Sequence, residues 1–382
     1  MKTYVFPGQG SQARGMGGGL FDEFPDLTGK ADKLLGYSIK ELCLNDPNRE
    51  LGKTQCTQPA LYVVNALSYY KRMRDSGETP DFLAGHSLGE FNALLAAGCF
   101  DFETGLKLVK KRGELMSQAT EGAMAAIVNA TREKIESVLK ENGFDQVEIA
   151  NVNTPQQVVI SGPVADIAAC QNVFQFDNAM YIPLNTSGAF HSRLMIPSQE
   201  RFEIYLKRRK LSDPKIPVIA NLTARPYPEG AIVEYLSKQI RSTVLWSDTI
   251  QHLMSLSDTM EFVEIGHGDV LTKMTAKIRQ HTAKAATQAS APAGVAKVDA
   301  RPDAATGRAG VVATSGDRFA LAEQKVAAWN TRHRIGTKAK SLVADYGDLT
   351  TRTSAMVLFG HRAAVYMEGY NGYFDLDEIA AV

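Results

Sequence analysis

The chain is poor in cysteine, carries no net charge and contains no long apolar run, and each lack narrows what it can be. Its four cysteines, Cys43, Cys56, Cys99 and Cys170, form no CxxC pair. That excludes a disulfide framework and fits reduced thiols in the cytoplasm. Forty-two lysines and arginines balance 42 aspartates and glutamates, so no overall field draws the chain to nucleic acid or to an anionic membrane. No segment is long and apolar enough to span a bilayer. The opening Met1-Lys2-Thr3-Tyr4-Val5-Phe6 has neither the apolar region nor the cleavage site of a secretory leader. A cytoplasmic protein is expected, with partners read from sites, not from bulk charge. No internal repeat stands out.

What is present is enough apolar residue, 44% of 382, to bury a full core, and a length that favours two or three compact units. Thr3 to Phe6 reads as a buried strand running into the glycine-rich "PGQGSQARGMGGG". "TQPALYVVNALSYYKRM" reads as a helix with Thr57 as its N-cap and Pro59 in its first turn. Asp81 to His86 is a strand, and Leu88, Phe91, Leu94 and Leu95 line a helix closed by Gly98. Between about 123 and 186 the order becomes strand, helix, strand, strand, helix, strand, the split βαβ or ferredoxin-like arrangement. It reads as a subdomain inserted into a larger α/β unit that resumes at "KIPVIANLTARP" and spans 1–281. The cleft between the two parts is the natural site. Residues 282–316, rich in Ala, Gly, Pro and Thr, read as a flexible linker. Residues 317–382 read as a small, mostly β module, with a helix capped by Asp317 and a basic strip at Arg332, Arg334, Lys338 and Lys340.

Gly85-His86-Ser87-Leu88-Gly89 fits Gly-x-Ser-x-Gly at a strand-to-helix turn. A bare hydroxyl is a poor nucleophile, so Ser87 needs a base within reach and donors aimed at an oxyanion; the amide of Leu88, at a helix start, supplies one. Among seven histidines, His191 and His267 are loop candidates for the base, and His191 in "TSGAFHSRLM" is better placed on the cleft. His86, beside the serine, reads as structural. In "DFETGLKLVKKRGELMSQ", Arg112 falls on the apolar arc with Leu108, Val109, Leu115 and Met116. It is either half of a buried ion pair or the ligand of a substrate carboxylate. The glycine-rich "GQGSQARG" lacks the Lys-Ser/Thr ending of a phosphate loop, so nucleotide binding is disfavoured.

These pieces resemble the malonyl-CoA–acyl carrier protein transacylase family, which includes the acyltransferases of fatty acid and polyketide synthases. The resemblance runs over about residues 1–280. It rests on "FPGQGSQ", "TQPAL", "GHSLGE", "KRGELM", "GAMAAI", "NVNTPQQVVISG", "AFHS" and "EIGHGDVLT", in the family's order. It implies an α/β-hydrolase-like core with a ferredoxin-like insertion. By matched position it implies Ser87 as nucleophile, His191 as base, and the amides of Gln9 and Leu88 as oxyanion hole. The carbonyl of Gln239 then orients the histidine, Arg112 binds the malonyl carboxylate, and Phe190 narrows the acyl site. Where the polyketide selectivity motif has His, this chain has Gly188, and His267 stands in the family's GPG as a loop variant. The implied reaction is ping-pong, from malonyl-CoA to the phosphopantetheine thiol of an acyl carrier protein, with no metal or other cofactor. A proofreading thioester hydrolase of the same fold is the alternative, and it would be expected to lack Arg112.

Overall fold

The computed structural model describes residues 1–119, 121–174, 176, 178–290, 315–342, 348–358, 362–368 and 373–382. Two compact units divide at Pro292.

In the first unit, short apolar segments pair into a five-stranded sheet of order β8-β7-β2-β1-β9. The strands are β1 (Lys2–Phe6), β2 (Phe82–Gly85), β7 (Val218–Ala220), β8 (Arg225–Pro226) and β9 (Glu261–Glu264). The contacts β1–β2, β1–β9 and β2–β7 are parallel; only β7–β8 is antiparallel. Such a sheet is buried on both faces, which is why β1 and β2 read as continuous apolar runs. The carboxyl ends of β1 and β2 lie side by side, Phe6 opposite Gly85, so the glycine-rich loop and the Ser87 turn leave the sheet together.

A second, antiparallel sheet of order β4-β5-β3-β6 is made by β3 (Gly122–Val128), β4 (Glu148–Thr154), β5 (Gln157–Pro163) and β6 (Met180–Leu184). Its helices are Arg132–Glu141, capped by the Thr131 side chain, and Val164–Val173. It has its own apolar core around Ile127, Ile135, Ile149 and Ile160. Segment 243–245 ties it to the first sheet: Val244 exchanges backbone bonds with Ala150 and Val152, and the Leu245 N–H donates to the Asn221 carbonyl.

The turn at Ser87 depends on close backbone approach. A Cβ on Gly89 would lie 2.0 Å from the Phe6 carbonyl oxygen, and one on Gly85 would lie 2.0 Å from the Gly89 carbonyl carbon. Ser87 itself holds the left-handed φ of 48°, which side chains avoid. Gly89→Ala is therefore expected to destabilise the first unit by about 3 kcal/mol or more, because backbone and not a pliable side chain must give way. Urea unfolding measures this; a midpoint equal to that of the parent chain would refute the close contact.

Several element boundaries differ from the sequence reading. The helix expected to start at Thr57 spans Thr54–Ser76, so Thr57 is inside it and its hydroxyl donates back to the Leu51 and Lys53 carbonyls. The linker expected from residue 282 begins as helix, since Val270–Ser290 is continuous; residues 291–314 lie outside the described residues. In the second unit the helix is Ser315–Arg332, which puts Asp317 inside it and not at its cap. Among the described residues, the unit's strands form two three-stranded antiparallel sheets. Ala339, Leu349, Val365 and Ile379 are buried there with Trp329 packed against them, and the Asn330 amide bonds both backbone groups of Ala355.

Candidate active site

The Ser87 hydroxyl projects toward the seam between the two subdomains of the first unit. Its Oγ lies 2.9 Å from His191 Nε2. His191 Nδ1 lies 2.9 Å from the Gln239 carbonyl oxygen and 3.1 Å from that of Ser242. Carbonyls only accept, so Nδ1 carries the ring proton and Nε2 is left to accept from the serine hydroxyl. Burial, with Arg112 nearby, pushes the His191 pKa down to about 3, so the ring is neutral at physiological pH. His86 faces away: its Nε2 lies 2.9 Å from Asn153 Oδ1 and its ring packs on Trp246. His267 makes no hydrogen bond to Ser87 or His191 among the described residues.

Arg112 comes from the Phe102–Ser117 helix, which Asp101 caps. It is only 1% exposed, as its place on the apolar arc requires. Its Nη1 donates to Gln58 Oε1 at 2.8 Å, and its Nη2 to Gln239 Oε1 at 2.9 Å and to Ser87 Oγ at 3.1 Å. Among the described residues no carboxylate forms an ion pair with it, and its buried Nε–H has no acceptor. The ion-pair reading of Arg112 is thereby removed. Burial lowers its pKa to about 10, which still leaves it charged at neutral pH.

Gln9 stands in the loop after β1 and Leu88 immediately before the Gly89–Ala96 helix. Among the described residues neither backbone N–H has an acceptor. The Leu88 side chain is packed in the core, so only its amide can serve the site. A cavity of about 250 Å³ opens over these groups, lined among others by Gln9, Ser87, Arg112, Phe190 and His191. Phe190 is buried at its wall; a side chain on neighbouring Gly188 would meet the Ala119 carbonyl oxygen at 2.0 Å. The expected residues are thus brought together, from segments up to about 230 positions apart.

The sequence reading left four residues here without a role. Gln58 holds Arg112, and it stands inside the quoted "TQPAL". Asn221 accepts from the Ser87 N–H at 2.7 Å and donates to the Gly85 carbonyl at 2.7 Å, fixing the turn. Ser242 supplies the second carbonyl to His191. Glu90, one step beyond the glycine, is buried against Gln239, Tyr227 and Asn221.

The acyl transferase domain family model matches residues 3–316. The chain belongs to this family. Within it, the chain is 54% identical over 282 residues to the polyketide biosynthesis malonyl CoA-acyl carrier protein transacylase PksC of Bacillus subtilis, covering 73% of this chain and 98% of that one. The crystal structure of malonyl CoA-acyl carrier protein transacylase from Burkholderia pseudomallei matches with a TM-score of 0.72 at 61% identity, over 73% of this chain and 98% of that chain. A malonyl-transacylase solved in complex with its type II PKS acyl-carrier protein matches with a TM-score of 0.69 at 34% identity, over 73% and 93%. The acyl transferase architecture is α/β with mixed sheets, and among the described residues no helix is long and apolar enough to cross a membrane.

Proposed function

We propose that this acyl transferase moves a malonyl group from malonyl-CoA, through an ester on Ser87, to the phosphopantetheine thiol of an acyl carrier protein in polyketide or fatty acid biosynthesis. The observation that carries the reading is Arg112, a buried cation held by neutral acceptors within 3.1 Å of a serine hydroxyl that shares a histidine. A charge kept in that state gains most from an incoming carboxylate. The names of the three relatives reported above, each a malonyl transacylase, support the same substrate.

In the first half-reaction His191 Nε2 takes the Ser87 proton as Oγ bonds to the thioester carbon. The oxyanion is held by the amides of Gln9 and Leu88, the carbon–sulfur bond breaks, and the proton leaves with the coenzyme A thiol. In the second, the carrier thiol gives its proton to His191 and attacks the ester. The carbon–oxygen bond then breaks, and Oγ recovers a proton from the imidazolium. These steps need no metal or redox cofactor; coenzyme A enters as part of the substrate. Phe190 bounds the acyl cavity and limits the bulk carried beside the carboxylate.

We also read the architecture as an α/β-hydrolase-like core with a ferredoxin-like insertion, supported by the parallel central sheet and the βαββαβ order of the second one. The transferase then resides in the unit ending at Pro292. Incubation with malonyl-CoA is expected to place one malonyl group on the enzyme and, once a phosphopantetheinylated carrier is added, to move it to the carrier thiol. A chain ended at Pro292 is expected to do the same; absence of an acyl-enzyme in the full chain would refute the reading.

The depressed His191 pKa sets the sign of the pH dependence. A base already neutral above about pH 3 gains nothing as pH rises and loses little as it falls to 5. An imidazole titrating near 6.5 would lose roughly thirtyfold of its neutral form between pH 7.5 and 5. Rapid-quench measurement of kcat/KM for self-malonylation should show a far smaller drop; a full acid limb centred near 6.5 would reject the tautomer and burial argument.

A further inference from the structure

The Gln239 side-chain amide bonds both the Ser87 backbone and Arg112, and a buried carboxyl holds that amide. Glu90 is 1% exposed in the first turn of the Gly89–Ala96 helix. Its Oε2 accepts from Gln239 Nε2 at 2.6 Å. Its Oε1 accepts from the Tyr227 hydroxyl and, at 3.4 Å, from the Asn221 N–H. The Gln239 Nε2 also donates to the Ser87 carbonyl at 2.8 Å, while Gln239 Oε1 accepts from Arg112 Nη2 at 2.9 Å.

The orientation of that amide follows from its neighbours. On one side stands the Ser87 carbonyl, which only accepts, and on the other a guanidinium, which only donates, so the amide is fixed whether or not Glu90, whose pKa burial raises to about 7, holds a proton. Reversing the amide would set N–H against N–H and oxygen against oxygen. Glu90 makes no direct ion pair with Arg112 among the described residues; it reaches the guanidinium by hydrogen bonds through Gln239 and, across space, by its charge.

We propose that Glu90 is a positioning residue for malonyl selection: by fixing the Gln239 amide it aims Arg112 at the acyl cavity. This inference rests on the reading that Arg112 receives the malonyl carboxylate. Tyr227, Asn221 and Gln239 face Glu90 within hydrogen-bond reach, and Arg112 is the cation whose field it feels. Glu90→Gln keeps the volume but replaces one acceptor oxygen by an amide N–H, which must face either the Asn221 N–H or the Gln239 Nε2–H, both of which only donate.

The test uses the full chain and compares self-acylation kcat/KM for malonyl-CoA and acetyl-CoA in the parent, in Glu90→Gln and in Glu90→Asp, each again in an Arg112→Ala background. Glu90→Gln is expected to lower the malonyl-to-acetyl ratio by at least about tenfold, since a small misaiming of a clamp is costly. In the Arg112→Ala background the same change should lower malonylation by less than about twofold further, because the two residues act along one path. Glu90→Asp, which retains the carboxylate but draws it back from Gln239, should lower the ratio in the same direction, and it serves if the glutamine variant does not fold. Equal losses for both substrates, or full multiplication of the loss in the Arg112→Ala background, would reduce Glu90 to ordinary core support and overturn the inference. A parent chain that takes no malonyl group would instead fail the functional reading itself.

Discussion

Ser87→Ala is expected to abolish formation of the malonyl-enzyme and to lower transfer by about five orders of magnitude or more, with the fold retained. The oxygen removed is the one that lies 2.9 Å from His191 Nε2 and accepts from Arg112 at 3.1 Å. No other hydroxyl shares that histidine among the described residues. Alanine suits the site sterically, since the strained φ of 48° is imposed by the Asn221 and Gln239 contacts to the backbone of residue 87, which the substitution leaves alone. The lost contacts should cost only about 1 kcal/mol of stability. Intact-protein mass spectrometry after incubation with malonyl-CoA gives the result directly, with circular dichroism melting as the control for folding. A malonyl adduct that persists on the variant, or one found on a different peptide of the parent, would remove Ser87 from its role.

Much of the fold was legible because its signals are local. The apolar runs of β1 and β2 and the glycines of the turn each show within a few residues, and Arg112 betrayed itself by standing on the wrong side of an amphipathic helix. Other features carry no such signature. Gln58, Asn221 and Gln239 hold the site through side-chain amides whose partners lie between 54 and 152 positions away, and no spacing rule marks them. Position alone left His191 and His267 as candidate bases, the family resemblance pointed to His191, and the structure places His191 beside the serine. The false start at Thr57 has a physical cause: Thr-x-Pro imitates a cap, whereas Lys53, at the true start, offers no capping side chain. Past residue 281 the Ala, Gly, Pro and Thr bias suggested a linker, yet "TAKAATQAS" holds Ala, Lys and Gln, all good helix formers, with no glycine or proline to stop it.

For Arg112→Ala the expected result is a loss of about 10²- to 10³-fold in kcat/KM for malonyl-CoA, with a far smaller change for acetyl-CoA. A guanidinium offers five N–H donors, and here three bonds to neutral oxygens leave Nε without an acceptor. The charged form is already disfavoured by burial, which brings the pKa down to about 10. A substrate carboxylate supplies a directly bonded counter-charge, so the binding energy is realised only with substrates that carry one. Acetyl-CoA brings the same thioester to the same Ser87, His191 and amides, and has nothing for Arg112 to hold. Arg112→Lys should recover only part of the malonyl activity, because a shorter-reaching ammonium cannot bond Gln58, Gln239 and a carboxylate from one plane. Neither substitution breaks an ion pair within the protein, so thermal melting should move little compared with the change in selectivity. The deciding measurement is the ratio of the two acylation rates in each variant. If both substrates lose equally, Arg112 serves the serine and not the acyl group, and malonyl selection must be sought elsewhere in the cavity.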